Sequence, residues 1–165
     1  MDILKRLVDL GQTVNQHYPK INHGGCCVYA ALVARALKDR GIESRGIAAS
    51  CMTKDWYTGK VKDLDPVRKK ITNNTCAEWN ENDVYFGHVG IEFKYRGRYR
   101  HYDSNGLHMR MPALSGLTIY KGRLTLEEME SLAATRDGWN STFDRKHIPD
   151  VKRMVEDYLR NPERD

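Results

Sequence analysis

The chain has 165 residues, 40% of them hydrophobic and 30% charged, with a formal net charge of +5 and four cysteines. This is the composition of one soluble globular domain covering 1–165, and it excludes a disordered chain and a dense disulfide framework. No apolar run approaches the roughly 18 residues needed to cross a bilayer.

In chain order, MDILKRLVDLGQTVNQHY (1–18) mixes charged and apolar residues at helical spacing and lacks a cleavable hydrophobic region. It predicts an amphipathic surface helix and a protein that is neither secreted nor inserted in a membrane. HYPKINHGG is a loop. A helix follows from about Cys26 to Arg40, stopped by Gly41 as the residue just past its end. ESRGIAASCM predicts a strand. Residues 53–83 are polar and irregular, with room for one short helix after Pro66, and long segments of this kind in compact domains tend to be lids or specificity loops. DVYFGHVGIEFKYRGRYRHYDSNG predicts a hairpin turning at Arg96-Gly97. Thr125 to Glu128 form a capping box that starts a helix. A last helix starts near Pro149, with Val151, Met154, Val155, Tyr158 and Leu159 on one face. Between these two, Trp139 to Phe143 reads as an anchor against the core. There are no repeats, low-complexity tracts or linkers, and the order of elements is α+β.

The start of the central helix is unusual. Ser, Thr, Asp or Asn is the common opening residue, but this helix opens with Gly24, Gly25, Cys26 and Cys27. A thiol at that position feels the positive end of the helix dipole and its unpaired N–H groups, which favour the thiolate. At about 100° per residue, Ala30, Val33 and Leu37 fall within roughly 40° of Cys26, while Arg35, Lys38 and Asp39 lie opposite. Cys26 is therefore expected to face inward and Cys27 to sit toward the polar boundary. Only Arg40 breaks the pattern.

A nucleophilic thiol needs an imidazole in reach, and the imidazole needs an orienting acid. A two-residue turn puts Tyr95 opposite Arg98, and hence His88 opposite Asn105 and Asp103 opposite Gly90. His88 and Asp103 then become diagonal neighbours on one face, about 7–8 Å apart at the backbone and within side-chain reach. Asn105 is the alternative third member. Val89, Ile91, Phe93 and Tyr95 form an apolar stripe on the other face. The C-terminal helices are expected to cover that stripe, leaving the His88 face to the central helix.

Other chemistry has weaker support. Cys26 and Cys27 do not suit disulfide geometry, and with Cys51 and Cys76 they read as reduced thiols of the cytoplasm. His23, Cys26, Cys51 and Cys76 match no compact zinc spacing, so no metal and no cofactor is expected. His101 shares a face with Asp103 but lies further from the helix start. His17, His108 and His147 have no partner that the sequence names. Two basic clusters, KVKDLDPVRKK and KYRGRYRHY, admit nucleic acid or an acidic partner, although a solvated basic surface accounts for them as well.

A helix opening GGC followed by an aromatic and Ala, a strand HVxxxF, and YD closing the next strand together resemble the papain-like and transglutaminase-like cysteine enzymes, over residues 22–106. The resemblance implies a central helix, with the nucleophile at its N-terminus, packed on an antiparallel sheet. It also implies Cys26 as nucleophile, His88 as base and Asp103 as orienting acid, with C-terminal helices outside this core. The chain departs from papain in having Cys27 where Trp follows the nucleophile, and Lys20 where Gln lies six residues upstream. Backbone N–H groups at the helix start, with Asn22, His23 or Gln16, are then the candidate oxyanion donors. No acidic calcium loop is present. The expected activity is a cytoplasmic thiol-dependent hydrolase of an amide, peptide or isopeptide bond, of a small bacterial or phage type that would work in the host cytoplasm if phage-encoded. Its partner is a protein or peptide substrate. An acyltransferase at the same site, or a non-catalytic basic binding protein, is the alternative.

Overall fold

The computed structural model describes residues 2–22, 24–51, 85–108, 118–135 and 143–160. Helix α1 spans Ile3–His17 and begins where the Asp2 carboxylate accepts from the Leu4 N–H, satisfying one of the orphan donors of a helix start. Its helical spacing gathers Ile3, Leu7, Leu10 and Val14 into one buried stripe. Helix α2, Cys26–Asp39, is buried on several sides, because Ala30, Ala31, Ala34 and Ala36 let its neighbours approach closely. It ends at Gly41 as predicted. With φ at +72°, the Gly41 N–H reaches the Lys38 carbonyl and the Ile42 N–H reaches that of Leu37.

Strands β1 (Ser44–Cys51), β2 (Tyr85–Tyr95), β3 (Arg98–Asp103), β4 (Gly106–His108) and β5 (Thr118–Leu124) form one antiparallel sheet in the order β4-β3-β2-β1-β5. The β2–β3 turn is Arg96-Gly97, with φ of +49° and +77°, the left-handed pair that a two-residue hairpin requires. It sets the predicted register, with Tyr95 opposite Arg98 and Ile91 opposite Tyr102. Beyond Tyr102 the chain turns back through Ser104-Asn105, so that Asp103 pairs with Gly106 of β4.

Helix α3, Leu126–Thr135, starts at the capping box: the Thr125 N–H donates to the Glu128 carboxylate at 2.7 Å and the Glu128 N–H to Thr125 Oγ1 at 3.2 Å. Helix α4, Ile148–Leu159, follows a short 3-10 turn, Arg145–His147, and buries Val151, Val155 and Leu159. Its last carbonyls are capped by arginines from other helices. Arg6 donates to Tyr158 O at 3.1 Å and Arg40 to Leu159 O at 2.6 Å. That accounts for Arg40, the residue out of pattern on α2.

Two expectations about facing need correction. Val89, Ile91, Phe93 and Tyr102 share one core with α1, α2, α3 and α4, so the body of the central helix packs on this stripe together with the C-terminal helices, while its first residue, Cys26, reaches His88. Tyr29 of α2 bonds Tyr102 across the interface at 2.5 Å, and the Tyr102 hydroxyl donates to Leu7 O at 2.8 Å. The physical reason is area: burying each Val, Ile or Phe contributes about 1.5–3 kcal/mol, which His88, Gly90 and Glu92 cannot match. Cys27, in turn, is buried and not at a polar boundary, because α3 closes over that side of α2 and the Cys27 thiol donates to Met129 O at 3.5 Å. Gly46 of β1 permits that approach, since a Cβ there would lie 2.6 Å from Met129 Sδ.

Candidate active site

The two glycines before Cys26 have separate tasks. Gly24 adopts φ of +111°, a conformation that L side chains rarely take. Gly25 lies under the Phe143 ring and the Ile21 carbonyl, and a Cβ on it would stand 2.7 and 2.8 Å from them. The loop and Phe143 therefore close directly on the start of α2. No side chain caps that end, so the first-turn N–H groups and the positive end of the dipole surround Cys26. Cys26 and Cys27 are both reduced and each is 5% exposed. They differ in what they touch: Cys27 is tied to a backbone carbonyl, whereas Cys26 interacts with His88.

His88 Nε2 lies 2.6 Å from Asp103 Oδ2, and both side chains are 1% exposed. The β1–β2 register shifts between Ala49, opposite His88, and Ser50, opposite Phe86. Such bulges re-aim side chains and recur beside active sites. Asp103 Oδ1 accepts the Asn105 N–H at 2.8 Å and lies 2.8 Å from His108 Nε2. Burial works against the ionised carboxyl, but the bonds to His88 and His108 outweigh it and hold Asp103 below its ordinary range. An ionised acid only accepts, so His88 Nε2 carries the proton and Nδ1 keeps the basic lone pair.

Nδ1 is buried and, among the described residues, has no hydrogen bond of ordinary geometry. Burial pushes the His88 imidazole down; the bond to Asp103, and then the loose bond to Cys26 and its charge, carry it up to about 9. Catalytic pairs are often poorly aligned until substrate tightens them. The ring is thus held by the acid at one nitrogen and influenced by Cys26, with its other nitrogen left for a proton.

Of the oxyanion candidates, Asn22 is fixed: its Oδ1 accepts from Ser104 Oγ at 2.8 Å, leaving the amide N–H groups to donate elsewhere. Ser104 is itself anchored, its carbonyl accepting from Asn15 Nδ2 at 2.5 Å. Gln16 is exposed near the end of α1, and His23 lies outside the described residues. Asn105 is exposed and holds Asp103 through its backbone N–H, and it is Asp103 that bonds the His88 ring. His101 does not compete for Asp103, because it pairs with Glu92 at 3.1 Å. His17 sits 2.9 Å from Thr13 O, and His147 packs on the Tyr18 ring, 5.0 Å between centroids.

His108 is the site neighbour that sequence reasoning missed. A signal for it exists: once Ser104-Asn105 is taken as a two-residue turn, Asp103 opposes Gly106 and His108 falls on the same face, diagonal to the acid. Among the described residues, no group of three or more His, Cys, Asp or Glu could hold a metal ion, and no helix is long and apolar enough to cross a membrane. Phe143 is buried at 6% exposure, as an anchor should be, while Trp139 to Thr142, the 53–83 segment and the KVKDLDPVRKK cluster lie outside the described residues. Compared with known proteins, the chain matches no family model, no curated protein and no solved structure.

Proposed function

We propose that the chain is a thiol-dependent hydrolase of an amide, peptide or isopeptide bond, built in the manner of the papain-like and transglutaminase-like enzymes. The observation that carries this reading is the 2.6 Å bond between the buried His88 and Asp103, on a ring that also interacts with a cysteine at a helix start. His88 Nδ1 takes the proton of Cys26 Sγ. The thiolate attacks the carbonyl carbon, and the charge passes to the carbonyl oxygen, where first-turn N–H groups of α2 and the Asn22 amide are the candidate donors. The C–N bond breaks, His88 protonates the departing amine, and a thioester remains on Cys26. Water, deprotonated by His88, attacks the thioester; the acid leaves and the thiol is restored. An amine entering in place of water makes the same site an acyltransferase.

p-Nitrophenyl acetate tests the reading without knowledge of the substrate. Nitrophenolate should appear in a burst, with acetyl mapped to Cys26, and His88→Ala should abolish the burst. Acetyl spread over the cysteines, or an undiminished burst in the variant, would refute it. A non-catalytic role has one observation in its favour: KYRGRYRHY forms the end of the β2–β3 hairpin, where Tyr99 is 61% exposed. Two of the neighbouring cations are already engaged, however, Arg96 with Asp2 at 3.4 Å and Arg45 with Glu92. Tight nucleic-acid binding that falls steeply with salt, with inert cysteines, would favour that role.

A further inference from the structure

His108 makes a contact that a triad does not require. Asp103 has two carboxylate oxygens with a separate imidazole on each: His88 Nε2 at 2.6 Å from Oδ2 and His108 Nε2 at 2.8 Å from Oδ1. The three side chains grade outward. His88 and Asp103 are 1% exposed, while His108 is 22% exposed. His108 also comes from a separate strand, the three-residue β4 at the sheet edge, whose pairing with β3 runs His101–His108, Tyr102–Leu107 and Asp103–Gly106. The outer imidazole therefore stands between solvent and the acid.

Building on the reading of Cys26, His88 and Asp103 as one catalytic unit, we propose that His108 is a positioning residue that clamps Asp103 Oδ1 and keeps water off the carboxylate, so that Oδ2 acts undiluted on His88. The Asn105 N–H also holds Oδ1, at 2.8 Å, and as a backbone group of the turn it stays there when the side chain at 108 is changed. Shortening the side chain at 108 admits water to the acid. Water screens a charge far more than protein does, so the coupling between Asp103 and His88 weakens. The His108 N–H itself draws on the carboxylate's charge, but the water that replaces it draws at least as much and adds screening.

The test is the pH dependence of Cys26 alkylation by iodoacetamide, with adducts mapped, in the full chain and in His108→Ala and His108→Gln. In H108A the midpoint of the profile should rise by about one pH unit, a tenfold change in the underlying equilibrium. Gln offers an amide N–H at similar reach, and H108Q should stay near the parent. An unchanged midpoint in H108A, with only a lower melting temperature, would mark His108 as structural and overturn the proposal. Should H108A fail to fold, His108→Asn, too short to reach Oδ1, is expected to shift the midpoint in the same direction, and an unchanged profile there counts equally against it. Titration of the His88 ring by NMR gives a readout independent of thiol chemistry: its midpoint should fall in H108A and hold in H108Q. An inert Cys26 in the parent would instead refute the catalytic reading, with the NMR comparison still deciding the role of His108.

Discussion

Asp103 accepts from His88, His108 and the Asn105 N–H in a place that water scarcely reaches. Removing one partner of a buried pair leaves the other uncompensated, so Asp103→Ala should cost about 3–5 kcal/mol in denaturant unfolding. Asp103→Asn keeps the shape but no longer fixes the His88 tautomer. Acylation of Cys26 should fall by about 10²–10⁴-fold, the usual share of general base catalysis, while the melting temperature changes little by comparison; equal acylation rates would contradict the assigned role. Gly25→Ala forces a methyl into Phe143 and Ile21 O, and it should slow alkylation of Cys26 by disturbing the helix start. At this scale much was legible. His88 and Asp103 needed only the turn length and the alternation of strand faces. The helical wheel turned Cys26 inward, and Cys26 is the cysteine that meets His88, but the wheel did not separate it from Cys27, which is equally buried. His108 was not legible from the same reasoning, because a three-residue strand has no period to read, and its place follows only after the Ser104-Asn105 turn is taken as tight.

Elements are held together by polar contacts as well as by the core. The Tyr29–Tyr102–Leu7 chain of hydrogen bonds joins α2, β3 and α1 inside apolar surroundings, and burial drives both phenols well above their ordinary range. Tyr102→Phe would remove the second bond of the Leu7 carbonyl, which keeps its helical one, and leave the buried Tyr29 hydroxyl without its acceptor, with an expected loss of about 1–3 kcal/mol in equilibrium unfolding. Gly41→Ala, in open space at φ +72°, should lose about 1–2 kcal/mol from left-handed strain alone. α1, α2, the β2–β3 hairpin and the two C-terminal helices could be read because each carries a local signal: a period, a cap or a turn. β5 could not, since Gly122 and the charges of TIYKGRL interrupt its alternation. The mistaken facing of β2 has a different origin. Alternation separates a strand's two faces but does not say which layer covers each, and the apolar stripe went to the larger apolar partner.

For the whole molecule, stability should follow the buried acid–base pair. His88 rises from 6.5 to about 9, so its contribution is complete below pH 6.5 and lost as pH climbs through 9. Asp103 lies below 3.8, so its contribution holds above that value and disappears as pH falls through its lower folded value. Denaturant midpoints should therefore form a plateau between about pH 4 and 6.5 and decline toward pH 9.5, and His88→Ala should flatten the alkaline decline. The fold brings a helix start, a strand and a hairpin end together at one place, and the functional reading depends on their acting as a unit. The most direct measurement is the rate and position of iodoacetamide labelling at pH 6. Fast labelling confined to Cys26, and lost in His88→Ala, is the predicted result; slow labelling shared with Cys27 and indifferent to His88 would contradict it.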